Sequence, residues 1–307
     1  MAKIKIKNTE TITEAFEKFL LSKRAQGIAD KTAVTYSQHF HAIGKHLDTN
    51  KDISALTNTD LDCMINSMRE SNLSPNSIKS YTVTLKAFLT WCNVEGLTTL
   101  NIKRYKGEET YTDEELNILL KKPNMRKCSF GEYRGWVIEN FLVNSGSRAA
   151  TIRNIQIRDL DLNNGLIYAR HTKNRKALVI PLCTELVSIL KEYLITRGGE
   201  SEDYLFCNEC GQQLTENALR CSIADYNKRR GVIKTSIHLF RHTFARKYLV
   251  DCGGDAFTLQ RLLGHSTLDM TKHYCAIFDT DITRNFDNFS PLAQIKNNNT
   301  RIKVARH

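Results

Sequence analysis

The chain has 307 residues, 41% hydrophobic and 25% charged, enough for two domains that each bury a core of their own. No apolar run is long enough to cross a bilayer and the opening MAKIKIKNTE has no apolar h-region, so neither a helical membrane span nor a secretory signal is read and a cytoplasmic protein is expected. Forty-four Lys and Arg against thirty-three Asp and Glu give a net charge of +11, which excludes an acidic chain and points to a polyanionic partner.

The excess is shared along the sequence. Residues 1–106 hold fifteen basic and ten acidic residues, and the remainder holds twenty-nine and twenty-three, so a polyanion touching both halves is the natural partner, a merely soluble basic protein being the plain alternative. The nine cysteines, without a secretory signal, are read as reduced thiols, since an odd number cannot all pair internally.

The first hundred residues read as helices. Thr11 with Glu14, and Thr57 with Asp60, have capping-box spacing, and Ser74 followed by Pro75 is a further helix start. Apolar residues then recur at helical intervals: Phe16, Phe19 and Leu20; Tyr36, Phe40, Ile43 and Leu47; Leu61, Ile65 and Met68; Ile78, Tyr81, Leu85, Phe88 and Leu89. A bundle of about four or five helices is expected over residues 1–100. Its polar faces carry Lys23, Arg24, Lys31, Lys45, Lys79 and Lys86, as solvated charge or as a phosphate-facing surface.

TTLNIKRYKGEET, Thr98 to Thr110, has no apolar period, so a linker is placed at 101–111. A second domain, 112–307, opens with another capping box at Thr112 and Glu115, ahead of Leu116, Leu119 and Leu120. Trp136 to Val143 is a helical stretch, with Gly146 of NSGSR as its left-handed cap and Arg148 following. Asn164-Gly165 joins two strand-like runs as a hairpin, and the turn HTKNRK carries Lys173 ahead of the apolar run Leu178 to Ile180. From Leu186 the pattern is helical again, and KNNNTRIKVARH ends the chain as a basic tail.

The stretch from His238 to Tyr274 concentrates cations around a tyrosine. His238 and His242 share a helical face, but no glutamate lies between them and Arg241 would repel a dication, so no metal is expected. Asp251, Asp255 and Asp269 do not converge as a two-metal site would need, and Ser266 with Asp269 has capping-box spacing. Cys207-Asn-Glu-Cys210, even with Cys221, lacks the ligands of a zinc site and is read as a surface turn between helices. A phosphodiester fits better: arginine donates two parallel hydrogen bonds to phosphate, and histidine donates one and moves protons near neutrality. Tyr274 is then the candidate nucleophile, a half-buried core aromatic being the plain alternative, and His265 at a helix mouth would bind the oxyanion, a satisfied structural histidine being the plain alternative for it and for His238.

His238-Leu-Phe-Arg241-His242, then Leu262-Leu263-Gly264-His265-Ser266, then Tyr274 nine residues after His265, closely resemble the C-terminal signature of the tyrosine recombinase (phage integrase) family. NSGSR resembles its first arginine box, giving Arg148, and TKNRKALVIPL its β-hairpin lysine segment, giving Lys173. Two positions depart from the pattern: Thr151 stands where an acidic residue is usual three positions after the first arginine, and Phe240 replaces a leucine.

The resemblance implies a mainly α fold with a small antiparallel β-sheet, a helical SAM-like core-binding domain ahead of a mixed α/β catalytic domain. It implies cleavage and rejoining of double-stranded DNA at inverted-repeat sites, with no cofactor. Tyr274 would form a 3′-phosphotyrosyl link; Arg148, Arg241 and His265 would neutralise the phosphate. Lys173 would protonate the leaving 5′-oxygen and His238 would help deprotonate Tyr274. The family works as a homo-tetramer on two DNA sites, some members with an accessory DNA-bending protein or a partner recombinase, and residues after the tyrosine pack onto a neighbour; NFDNFSPLAQI, Asn285 to Ile295, suits that. An enzyme of a mobile element is expected, over an Xer-like dimer-resolution recombinase or a DNA-binding regulator without strand exchange. No domain for arm sites precedes Thr11, which disfavours integrases needing arm DNA.

Overall fold

The computed structural model describes residues 10–94, 109–170 and 177–277. The chain divides into two compact units, residues 1–107 and 108–307. The described parts are mainly helical, with one small antiparallel sheet.

Unit one contains α1 (Ile12–Ala25), α2 (Asp30–Ile43), α3 (Asn58–Glu70) and α4 (Pro75–Trp91). Both expected capping boxes form, at Thr11 with Glu14 and at Thr57 with Asp60, and Ser74 caps α4 with Pro75 at its first position. These side chains satisfy backbone N–H groups that a helix start leaves open. The apolar stripes meet in an aromatic core, where the Phe16 and Phe40 rings stack at 3.8 Å and Phe88 meets Phe16 edge-on at 5.4 Å.

Unit two is built around α6 (Phe130–Ser145), preceded by α5 (Asp113–Leu119). α6 starts at its cap Ser129, earlier than its apolar run suggests, and buries Tyr133, Trp136, Val137, Ile138, Phe141 and Leu142. A helix with no exposed face belongs in the middle of a core. Around it lie α7 (Ala149–Asn154), α8 (Thr184–Arg197), α9 (Glu216–Arg229) and α10 (Ile237–Arg246), the last continuing as a π-helical turn, Lys247–Asp251. The chain closes with α11 (Ala256–Leu263) and α12 (Asp269–Ile277).

The sheet runs β1 (Leu160–Asp161), β2 (Leu166–Ala169), β3 (Leu178–Pro181) in that order, antiparallel throughout. Asp161 faces Leu166, so Asn164-Gly165 sits in a four-residue connection. Ala169 faces Leu178, which brings together the two ends of the turn that carries Lys173; that turn lies outside the described residues.

Two helix ends matter for the site. α6 and α11 both end on left-handed glycines, Gly146 at φ 56° and Gly264 at φ 59°. A Cβ at Gly146 would lie 2.8 Å from Phe244 and 2.9 Å from Leu263, whereas one at Gly264 would meet Leu178 at an ordinary 3.4 Å. Gly264→Ala should therefore cost about the 1–2 kcal/mol of left-handed strain. Gly146→Ala should cost clearly more, and urea unfolding of the two variants measures the difference.

Candidate active site

The two glycine caps bring the cations together. At a helix C-terminus the last carbonyls lack intrahelical partners and carry partial negative charge. Arg241, on α10, is buried and donates from Nη1 to the Gly146 carbonyl and from Nη2 to the Leu263 carbonyl, both at 2.9 Å. Arg148, at the start of α7, donates from Nη1 to the carbonyls of Leu263 at 3.2 Å and Gly264 at 3.3 Å. The Leu263 oxygen thus holds both guanidiniums.

This explains how Arg148 is fixed beside a threonine. Thr151 is buried on α7 and lines the same cavity as Arg148, but the hydrogen bonds holding the arginine come from the end of α11. Neutral carbonyls hold the guanidinium without cancelling its charge.

His265 follows Gly264 directly and is buried beside them. Its Nδ1 lies 2.8 Å from the Thr271 hydroxyl. The Tyr274 ring, 5% exposed, lies parallel to the His265 imidazole at 6.0 Å and is packed with Ala245, Leu259 and Leu263. Tyr274 lies close enough to Arg241 to raise its proton affinity. His242 also borders the tyrosine, with ring centroids 5.5 Å apart.

The expected capping box of Ser266 with Asp269 does not form. After the left-handed Gly264 the chain bends through Ser266 and Thr267, and α12 begins only at Asp269. The Leu268 carbonyl takes the first N–H groups, those of Thr271 and Lys272, and Asp269 accepts from Lys272 Nζ at 3.0 Å. His265 therefore stands four positions ahead of the first residue of α12 and meets that helix through its ring, at Thr271 and Tyr274.

Burial and charge crowding both shift the proton affinities of these groups. Burial, then the charges of Arg241 and Arg148, push the His265 imidazole down to about 4. Burial and Arg148 lower Arg241 to about 10, Tyr274 acting in the opposite sense. His238 stands exposed on α10, and partial desolvation followed by Arg241 and Arg148 pulls it below the ordinary histidine value. A neutral His265 has a hydrogen bond to give without adding a third fixed charge.

A cavity of about 770 Å³ opens beside these groups, lined by Arg148, His265 and, from the sheet, Leu166, Leu178, Val179 and Pro181. Lys173 lies outside the described residues, and the strands on both sides of it border this cavity. Arg148, Arg241, His265 and Tyr274 are brought together, with His238 near enough to feel both arginines. Thr271 and the Leu263 carbonyl went unread in the sequence, because a threonine among helical residues and a backbone oxygen have no motif of their own. The Cys207–Cys210 segment is a turn before α9: Cys207 is buried, Cys210 is exposed, and Asn208 Oδ1 accepts from the N–H groups of Cys210 and Gln212, both at 2.9 Å.

The phage integrase family matches residues 110–280, more than half of the chain. This protein belongs to that family. It is a tyrosine-type site-specific recombinase. It is similar to the tyrosine recombinase XerC of Thermodesulfovibrio yellowstonii, 29% identical over 69% of this chain and 74% of that protein. It is also similar to the tyrosine recombinase XerD of Staphylococcus haemolyticus, 26% identical over 92% of this chain and 100% of the relative. In fold it resembles a λ integrase tetramer bound to a Holliday junction, with a TM-score of 0.70 at 18% identity over 87% of this chain and 78% of that one.

Because folding lowers the His265 pKa from 6.5 to about 4, the unfolded chain binds its proton first. Stability should then fall as the pH drops from about 6.5 to about 4. His265→Gln should flatten that part of the curve, read by denaturant unfolding at half-unit pH steps.

Proposed function

We propose that this recombinase cuts and rejoins double-stranded DNA through Tyr274, with Arg148, Arg241 and His265 binding the scissile phosphate. The observation that carries the reading is the convergence of two guanidiniums on the Leu263 carbonyl, beside a histidine stacked on a buried tyrosine. No carboxylate accepts the hydrogen bonds described for Arg148 and Arg241, so both charges stay available to a phosphate.

In this scheme the Tyr274 oxygen attacks phosphorus as its proton leaves with help from His238. The bond to the 5′-oxygen breaks, Lys173 protonates that oxygen, and a 3′-phosphotyrosyl link forms. The three donors stabilise the negative charge that gathers on the nonbridging oxygens. The link keeps the energy of the broken bond, so a 5′-hydroxyl from a partner strand reverses the reaction without ATP.

Four copies on two inverted-repeat sites are the assembly this chemistry needs for exchange, in line with the tetrameric neighbour on a junction. The segment Asn285 to Ile295, outside the described residues, is the proposed contact between copies. No helix among the described residues is long and apolar enough to cross a membrane, and action on DNA suits the cytoplasm. A mobile element's enzyme is the role expected from departures such as Thr151. The end-to-end match with XerD is the observation favouring dimer resolution instead.

Protein mixed with source-organism DNA in EDTA and stopped with SDS should retain covalently attached DNA, and Tyr274→Phe should retain none. Arg148→Ala or Arg241→Ala should lower the cleavage rate by about 10²–10³, as for loss of one transition-state donor. Adducts formed equally by Tyr274→Phe would defeat the assignment. The captured sequence separates the two roles: an element end for one, a chromosomal or plasmid resolution site for the other.

A further inference from the structure

We propose that Thr271 is a positioning residue for His265: its hydroxyl donates to Nδ1 and so fixes the proton of the neutral imidazole on Nε2. The inference rests on the reading of His265 as a donor to the scissile phosphate and deepens it.

A neutral imidazole has one N–H and one lone pair, and the partner of one nitrogen decides which the other presents. His265 Nδ1 and Thr271 Oγ1 are 2.8 Å apart, and Thr271 is wholly buried. A threonine hydroxyl can give or accept. If it accepted, Nδ1 would keep the proton and Nε2 would turn a lone pair toward phosphate oxygens, which repel it. If it gives, Nε2 carries the N–H and joins the guanidiniums of Arg148 and Arg241 as a third donor.

The neighbourhood selects the same arrangement. Burial, with the charges of Arg241 and Arg148, holds His265 neutral at physiological pH, so a tautomer has to be chosen and full protonation does not remove the choice. Thr271 and Tyr274 are three apart on α12 and share a helical face. That face touches His265 twice, by the hydroxyl on Nδ1 and by the tyrosine ring lying parallel to the imidazole, with 1° between the planes. One helix turn therefore sets the tautomer of the histidine and the place of the nucleophile together.

The tautomer is readable in the free, full-length protein. Nitrogen-15 NMR of the histidine rings at pH 7.5, with His265 assigned by loss of its signals in His265→Gln, should show the Nε2–H form. Thr271→Val keeps the shape without the hydroxyl and should move His265 toward Nδ1–H, while Thr271→Ser should keep the wild-type pattern. Single-turnover DNA cleavage should fall about 10–100-fold in Thr271→Val, the usual effect of removing an outer partner of a site residue, and stay within a few-fold in Thr271→Ser. An Nδ1–H wild type, or a valine variant with the wild-type tautomer, would overturn the proposal. Wild-type cleavage by His265→Leu, whose side chain has no donor, would instead overturn the donor role beneath it, and the two failures are separable because the tautomer is measured without DNA.

Discussion

One backbone oxygen organises the site. The Leu263 carbonyl at the end of α11 accepts from Arg148 on one side and Arg241 on the other, and Gly146 at the end of α6 completes the grip on Arg241. A helix C-terminus attracts cations by up to about 2 kcal/mol in partly buried settings. A carboxylate would hold an arginine more strongly and also neutralise it. Carbonyls position the guanidiniums and leave their charge for a ligand, which is why a threonine at 151 is compatible with an ordered Arg148.

The arrangement has an electrostatic cost that the function uses. Burial and the charge of Arg148 lower the proton affinity of Arg241, and burial together with both arginines drives His265 to neutrality. Such a site is unfavourable while empty of anions, and in the proposed reaction a phosphodiester would relieve it. Reducing the repulsion among fixed donors as charge develops is the electrostatic preorganisation expected of a phosphoryl-transfer site. The left-handed glycines belong to the same device, since Gly146 and Gly264 turn the chain so that the helix-end carbonyls face the arginines.

Much of this was legible in the sequence, for definable reasons. Capping boxes at Thr11, Thr57 and Thr112 are local hydrogen-bond patterns, and all three form. Gly146 was readable as a left-handed cap because little else tolerates that backbone. Side chains at motif spacing, Arg148, Arg241, His265 and Tyr274, do gather. What escaped depends on tertiary placement: the Ser266–Asp269 spacing is that of a cap, yet the bend after Gly264 delays α12. The Leu263 carbonyl and the Thr271 hydroxyl act only because α11 and α12 bring them beside residues from α7, α10 and the loop between them. The start of α6 at Phe130 was hidden because a helix buried on all sides has no polar face to frame its period.

The central claim is that mutually repelling cations, held by neutral carbonyls, await a phosphodiester, and proton linkage tests it most directly. Calorimetric titration of the captured DNA site into the Tyr274→Phe protein at pH 5, in buffers of different ionisation enthalpy, counts the protons taken up on binding. The account predicts net uptake, largely lost in Tyr274→Phe carrying His265→Gln, because an anion beside Arg148 and Arg241 raises the imidazole from about 4 toward its ordinary value. Binding without proton uptake, or uptake unchanged by the glutamine, would contradict it.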